Sequence, residues 1–190
     1  MVDPQGKPQC SAFRFPTLLS EIESNLRLRV VTALLRQHRV SMDPPGSPTA
    51  VDWVSGACMM IRSSVLQQVG MFDETFFLYF EEVDFCRRVR AVGHQVYVVP
   101  EACVEHVSGL TTGVVLGESR TPKHWFESRA RYLRKHHGAV RLAVFDAVAG
   151  SCFLLHRIRE TMMHRDHASP YFLRDFVRYN AALWRRNHHA

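Results

Sequence analysis

No C-x-x-C pair occurs in the 190 residues, and the five cysteines, Cys10, Cys58, Cys86, Cys103 and Cys152, are odd in number and widely spaced. That pattern excludes a disulfide framework and a cysteine zinc centre, and it predicts reduced thiols in a cytoplasmic setting. Long uncharged apolar runs are scarce too. In the most apolar stretch, residues 139–155, Arg141 and Asp146 interrupt the run and leave only 147–155 uncharged, which is too short to cross a bilayer. An interfacial role stays open. Met1-Val2-Asp3-Pro4-Gln5-Gly6 has neither the basic start nor the apolar core of a secretory signal. No internal repeat and no low-complexity tract is present.

What is present is an ordinary globular composition, 46% hydrophobic and 22% charged, with enough chain for a real core. The formal charge of +6 favours an anionic partner, a preference that nucleotide diphosphates, anionic lipid and nucleic acid would each satisfy. Three segments emerge. Residues 1–50 pass from turns through a helical pattern at 18–39 to a loop rich in proline, Met42-Asp43-Pro44-Pro45-Gly46-Ser47-Pro48. Residues 51–120 alternate short strands and helices: a strand or strand pair over 51–61 broken at Ser55-Gly56, a helix over 63–69 stopped by Gly70, a helix over 82–92 stopped by Gly93, and a buried strand over 95–99. Residues 121–190 read as helical throughout. The fold class is therefore α/β with a helical C-terminal region.

Within FFLYFEEVDFCRRVR, residues 76–90, three carboxylates follow directly on an apolar run. Rotating ~100° per residue from Glu82 places it above Cys86 and Val89 on the apolar face and turns Asp84 away from that face, toward Arg87 and Arg88. Asp84 then reads as a salt-bridged acid of a first helical turn. Glu82, near the positive helix end, is expected to stay ionised and suits a general base. A purely structural reading of the cluster, acids enriched in a first turn, stands beside the catalytic one.

The wider string carries a resemblance. The Gly56-Ala57 apolar run, then Val69-Gly70-Met71-Phe72-Asp73, then FFLYFEEVDF, then Pro100-Glu101-Ala102 and His106 together resemble the second half of the catalytic domain of inverting GT-A-type glycosyltransferases of family two, in their bacterial rhamnosyltransferase-like branch. The resemblance implies a partial GT-A-like (nucleotide-diphospho-sugar transferase) domain over 51–120. It also implies transfer of a sugar, rhamnose by analogy, from a nucleotide sugar to a glycan or lipid-linked hydroxyl in polysaccharide or cell-wall biosynthesis. By the same resemblance the catalytic acids are Glu82, Glu81 and Asp84, with Glu82 as base where the family usually carries Asp. Trp53 and Gly56 would line the substrate cleft, and His106 would ligate a divalent metal, Mg²⁺ or Mn²⁺, in a full-length context.

Before residue 51 the acids are Asp3, Glu21, Glu23 and Asp43, with no Asp-x-Asp and no Gly-rich phosphate loop. The chain is therefore expected to lack the nucleotide-binding half. An open sheet edge would make it oligomeric or poorly soluble, and inactive alone. The rival reading is a basic, non-catalytic module that binds an anionic membrane surface or a partner protein. No nucleic-acid motif accompanies the arginines and aromatics of the last seventy residues, so nucleic acid is not an expected partner. His136-His137 and His164-Arg165-Asp166-His167 read as surface histidines, since neighbouring residues cannot easily share a tetrahedral centre.

Overall fold

The computed structural model describes residues 1–107, 120–164 and 171–186, without the side chains of 181–186. The expected features at 108–119, Arg165-Asp166-His167 and the Trp184 side chain lie outside the described residues. The chain forms two compact units, one of residues 1–15 and 40–111, the other of 16–39 and 112–190. This division does not follow the three sequence segments, because the first strand pairs with residues far along the chain.

In unit 1, β1 (Ala12–Phe13) pairs antiparallel with β3 (Trp53–Val54), and β2 (Thr49–Val51) pairs antiparallel with β4 (Val96–Val98) in the register Thr49 to Val98, Ala50 to Tyr97 and Val51 to Val96. Between the strands lie α3 (Ser63–Val69) and α4 (Glu81–Ala91). Gly70, at φ 79°, ends α3 in a conformation that costs glycine little. Val65, Phe85 and Val89 make the core of this unit, with Met59, Ile61, Leu66, Val69, Phe72 and Val96 around them, and Phe72 stacks on Phe85 at 4.8 Å. The 95–99 strand is present but not buried as expected. Tyr97 points out to solvent, because β4 has one strand neighbour and only one face on the core.

Unit 2 is helical among its described residues. Thr17 and Ser20 form a reciprocal capping box at the start of α1 (Leu18–Leu26), each satisfying a backbone N–H of the other at 3.1 and 2.8 Å. After it come α2 (Arg29–Leu34), a short 3₁₀ turn (Arg36–His38), α5 (Lys123–Met162) and α6 (Phe172–Arg186). Gly138, at φ 81° and ψ 170°, breaks α5. On a straight helix Phe126 and Ala149 would stand about 35 Å apart, yet they share one core with Phe176. Arg129 likewise reaches Asp146 at 2.7 Å. The segment is thus a helical hairpin that turns back at Gly138.

One expectation needs correcting. The α5 segment contains an 18-residue window apolar enough to cross a membrane by length and composition, and only 22% of that window is buried. The uncharged residues alone are too few, but a span tolerates two charges. The hairpin turn divides the segment into two arms.

Candidate active site

Unit 1 brings the acid pair to the first turn of α4. The backbone leading into it is unusual: Tyr79 and Phe80 both adopt left-handed conformations, at φ 66° and 67°. Bulky residues pay for that geometry, and such strain persists only where the surroundings impose it. The turn delivers Glu81 and Glu82 side by side into half-buried positions, where one oxygen of each, Oε2, is buried without a hydrogen-bond partner among the described residues.

Burial is the main force on Glu82, and the neighbouring Glu81 charge adds to it, so its carboxyl pKa is raised from 4.5 to about 7. The backbone N–H groups of Glu82, Val83 and Gly56 pull the other way and lose. The expectation that the helix end keeps Glu82 ionised is therefore corrected at neutral pH: desolvation outweighs the amides. A carboxyl poised near 7 can take a proton from a hydroxyl and release it again, which is what a general base requires.

Glu82 and Gly56 are neighbours in space. A Cβ built on Gly56 would lie 3.7 Å from the Glu82 Cβ, so the glycine leaves that side of the acid open. Cys86, one turn on, sits below Glu82, and burial raises its thiol to about 11. It is inert as a nucleophile and serves as packing.

Trp53 is held rather than loose. It stacks on Phe13 with centroids 4.0 Å apart, and its Nε1 donates to the Arg14 carbonyl at 2.9 Å. It lies on β3, the strand that packs against α4.

Asp84 departs from the helical-wheel expectation. It is fully buried and pairs with Arg88 at 2.9 Å, while the same guanidinium donates to the carbonyls of Val69 and Met71. The wheel turned Asp84 away from one apolar face but could not show that the 69–71 loop covers the other side. Arg87, the second expected partner, lies over the Phe15 ring at 5.1 Å. Asp84 thus anchors a clamp between α4 and the end of α3.

His106 is tied to the N-terminal segment: its Nδ1 meets Gln9 Oε1 at 3.2 Å, Gln9 Nε2 donates to its carbonyl at 3.1 Å, and its own N–H donates to the Val2 carbonyl. No group of three or more His, Cys, Asp or Glu side chains converges among the described residues. The described residues do not by themselves fit a divalent-metal site.

Of the residues expected from the sequence, the structure brings Glu81, Glu82 and Gly56 together. Sequence reasoning missed the left-handed Tyr79-Phe80 turn, the Arg88 clamp onto backbone carbonyls and the depth of Asp84. The aromatic run gave a hint of the first, since bulky residues there must be folded over something.

The model of the family "Glycosyltransferase like family 2" matches residues 21–138. An N-acetylglucosaminyl-diphospho-decaprenol L-rhamnosyltransferase of Mycobacterium tuberculosis is 31% identical over 153 residues, 78% of this chain and 44% of that protein. The rhamnosyltransferase WbbL of Escherichia coli is 39% identical over 54 residues, 28% of this chain and 20% of its own. The low-salt glycan biosynthesis hexosyltransferase Agl10 of Haloferax volcanii is 52% identical over 40 residues, 21% of this chain and 13% of its own. The chain thus spans less than half the length of these curated relatives. No solved structure matches it. Family two implies a GT-A-like nucleotide-diphospho-sugar transferase fold, to which the mixture of helices and short strands in unit 1 conforms in class. The chain belongs to the glycosyltransferase-like family 2.

Proposed function

We propose that unit 1 supplies the acceptor-side machinery of a sugar transfer, with Glu82 as the general base. The hydroxyl of a glycan or lipid-linked acceptor gives its proton to the Glu82 carboxylate as its oxygen attacks the anomeric carbon of a nucleotide sugar, and the nucleotide diphosphate leaves. Attack from the opposite face inverts the anomeric centre. The observation that carries the reading is the buried, unpartnered Glu82 oxygen beside the open side of Gly56. Glu81 raises the basicity of its neighbour by charge. Asp84 holds the helix that presents both, and Trp53 offers an aromatic edge to a pyranose on the adjoining strand. The names of the Mycobacterium and Escherichia relatives support L-rhamnose as the sugar, and the former name supports a polyprenyl-diphosphate-linked N-acetylglucosamine as the acceptor. The reaction belongs on the cytoplasmic side, where nucleotide sugars are made. A divalent ion held in part by His106 would belong to the wider enzyme.

The test is turnover of nucleotide-activated L-rhamnose by the chain isolated from its own cells, so that any natural partner is retained. Glu82→Gln is expected to lower kcat by about a hundredfold or more while leaving KM within a few fold, as removal of a general base does. Unchanged turnover in that variant would overturn the assignment.

A further inference from the structure

Unit 2 carries two features that the chemistry of Glu82 does not use. The first is an apolar stripe on the second arm of the hairpin, residues 139–162. At ~100° per residue, Val140, Val144, Leu154, Leu155, Ile158 and Met162 fall within about 100° of arc. All six are exposed, Val140 at 80% and Met162 at 75%. The stripe runs about 33 Å, with Ala147 and Ser151 filling its middle. The opposite face, with Leu142, Phe145, Ala149 and Phe153, is buried, so half of this arm is already taken by protein. The two acids of the arm, Asp146 and Glu160, lie on that buried half, with side chains 12% and 14% exposed. One flank of the stripe carries Arg141 and Arg159 instead.

The second feature is a concavity of about 430 Å³ whose lining includes Arg27, Arg29, Arg36, Arg39 and Thr32, with Glu23 as its one carboxylate. The two features adjoin: Arg159, about 40° round the helix from Leu155, donates to the Arg27 carbonyl at 3.4 Å. Beside the cup, α2 exposes Val30 and Leu34 at i and i+4.

We propose that unit 2 docks flat on an anionic lipid bilayer, with the stripe of residues 140–162 sunk into the interface and the arginine cup seated on lipid phosphates. An apolar helical face flanked by cations is the form that interfacial helices take, and cationic side chains are drawn to an anionic leaflet. The arm lies on the membrane and does not span it, because its other face packs against protein and carries the Asp146 ion pair. A second copy of the chain is the poorer occupant: antiparallel pairing along the stripe would set the Arg141 end of one copy against the Arg159 end of the other, positive facing positive. The inference agrees with a lipid-linked acceptor but rests on the geometry of unit 2 alone.

The experiment is co-sedimentation of the full chain with vesicles of phosphatidylcholine, with or without phosphatidylglycerol, in the absence of any sugar donor. Wild-type protein, Glu82→Gln and the control Met60→Glu are expected to bind the anionic vesicles equally, and binding should fall with added salt. Leu154→Glu with Ile158→Glu is expected to lower partitioning about tenfold or more on both vesicle types, since two charges replace two apolar side chains that docking sinks into the interface. Should that pair fail to fold, Leu154→Ser with Ile158→Ser gives the same direction more mildly. Arg29→Glu with Arg36→Glu should abolish the preference for anionic vesicles and leave the neutral ones unchanged. Absence of vesicle binding by wild type, equal binding by the stripe variants, or vesicle binding abolished by millimolar inorganic pyrophosphate without salt dependence would each overturn the proposal. So would a wild-type dimer that the stripe variants split while vesicle binding persists. Because Glu82→Gln binds vesicles normally if this is right, loss of the catalytic reading and loss of the docking reading are separately visible.

Discussion

Buried charge is handled in opposite ways at Arg129 of unit 2 and at Glu82 of unit 1. In unit 2 the guanidinium of Arg129 is buried and bonded to two carboxylates, Glu21 at 2.8 Å and Asp146 at 2.7 Å. Burial works against its charge, yet the two acids overcome that and hold its pKa above the ordinary value. In unit 1 two carboxylates sit together, and burial with mutual repulsion lifts Glu82 instead. The same asymmetry runs through composition. Unit 2 holds 18 of the 24 Lys and Arg and 8 of the 18 acids, a net +10, whereas unit 1 holds 6 and 10, a net −4. A satisfied charge network specifies a structure, while an unsatisfied acid stores the capacity to move a proton.

Breaking the satisfied side should have the larger effect. Arg129→Met removes the guanidinium that Glu21 and Asp146 share, and loss of one partner of a buried ionic group costs about 4 kcal/mol. Urea unfolding is expected to show that loss. An unchanged midpoint would mean that the triad contributes nothing beyond its own desolvation.

The unsatisfied side should be read through pH. Glu82 binds its proton more tightly folded than unfolded, so the folded state is favoured below about 4.5 and loses stability as pH rises from there to about 7. The full loss is on the order of 3 kcal/mol, and Glu82→Gln should flatten that part of the pH–stability curve. If wild type and variant run parallel from pH 4 to 8, Glu82 does not titrate abnormally, and the contrast between the units disappears.

A smaller effect tests the hairpin of unit 2. Gly138→Ala places a Cβ at φ 81°, ψ 170°, a region nearly closed to other residues, at a cost of about 2 kcal/mol. There is open space around that Cβ, so the whole loss would be backbone strain. Full stability in this variant would show that the two arms do not need the turn.

How much of this was legible beforehand differs between the units for a physical reason. Helix ends are written in local chemistry: Gly70 ends α3 as expected, and the 82–92 helix appears within one residue at each end as Glu81–Ala91. Pairings between distant segments are not local. Nothing near Ala12-Phe13 announces that it pairs with Trp53-Val54 across forty residues, and nothing in 139–155 shows that the chain doubles back on 123–137. Asp84 is the clearest case. Its i+4 partner Arg88 was readable from spacing, but its burial depends on the 69–71 loop whose carbonyls Arg88 holds. The acids of the candidate site stand out in the sequence because their residue types are rare behind an apolar run. The sign of the Glu82 shift was misjudged, because a sequence shows the helix amides but not how little water reaches the carboxylate.

The smallest perturbation asks the sharpest question about unit 1. Gly56→Ala adds a methyl 3.7 Å from the Glu82 Cβ and 4.0 Å from its Cγ, ordinary contact distances, so unfolding free energy should move by no more than about 0.5 kcal/mol. The methyl removes water from the open side of a carboxyl that burial already dominates, so the Glu82 pKa should rise further. In the sugar-transfer assay the acid limb of the pH–rate profile, which rises as Glu82 deprotonates, should therefore shift to higher pH in Gly56→Ala, while the rate at high pH stays near wild type. A limb that stays in place would place the reacting acid elsewhere. A uniform loss of rate at every pH would instead mean that the glycine makes room for substrate and does not tune the base.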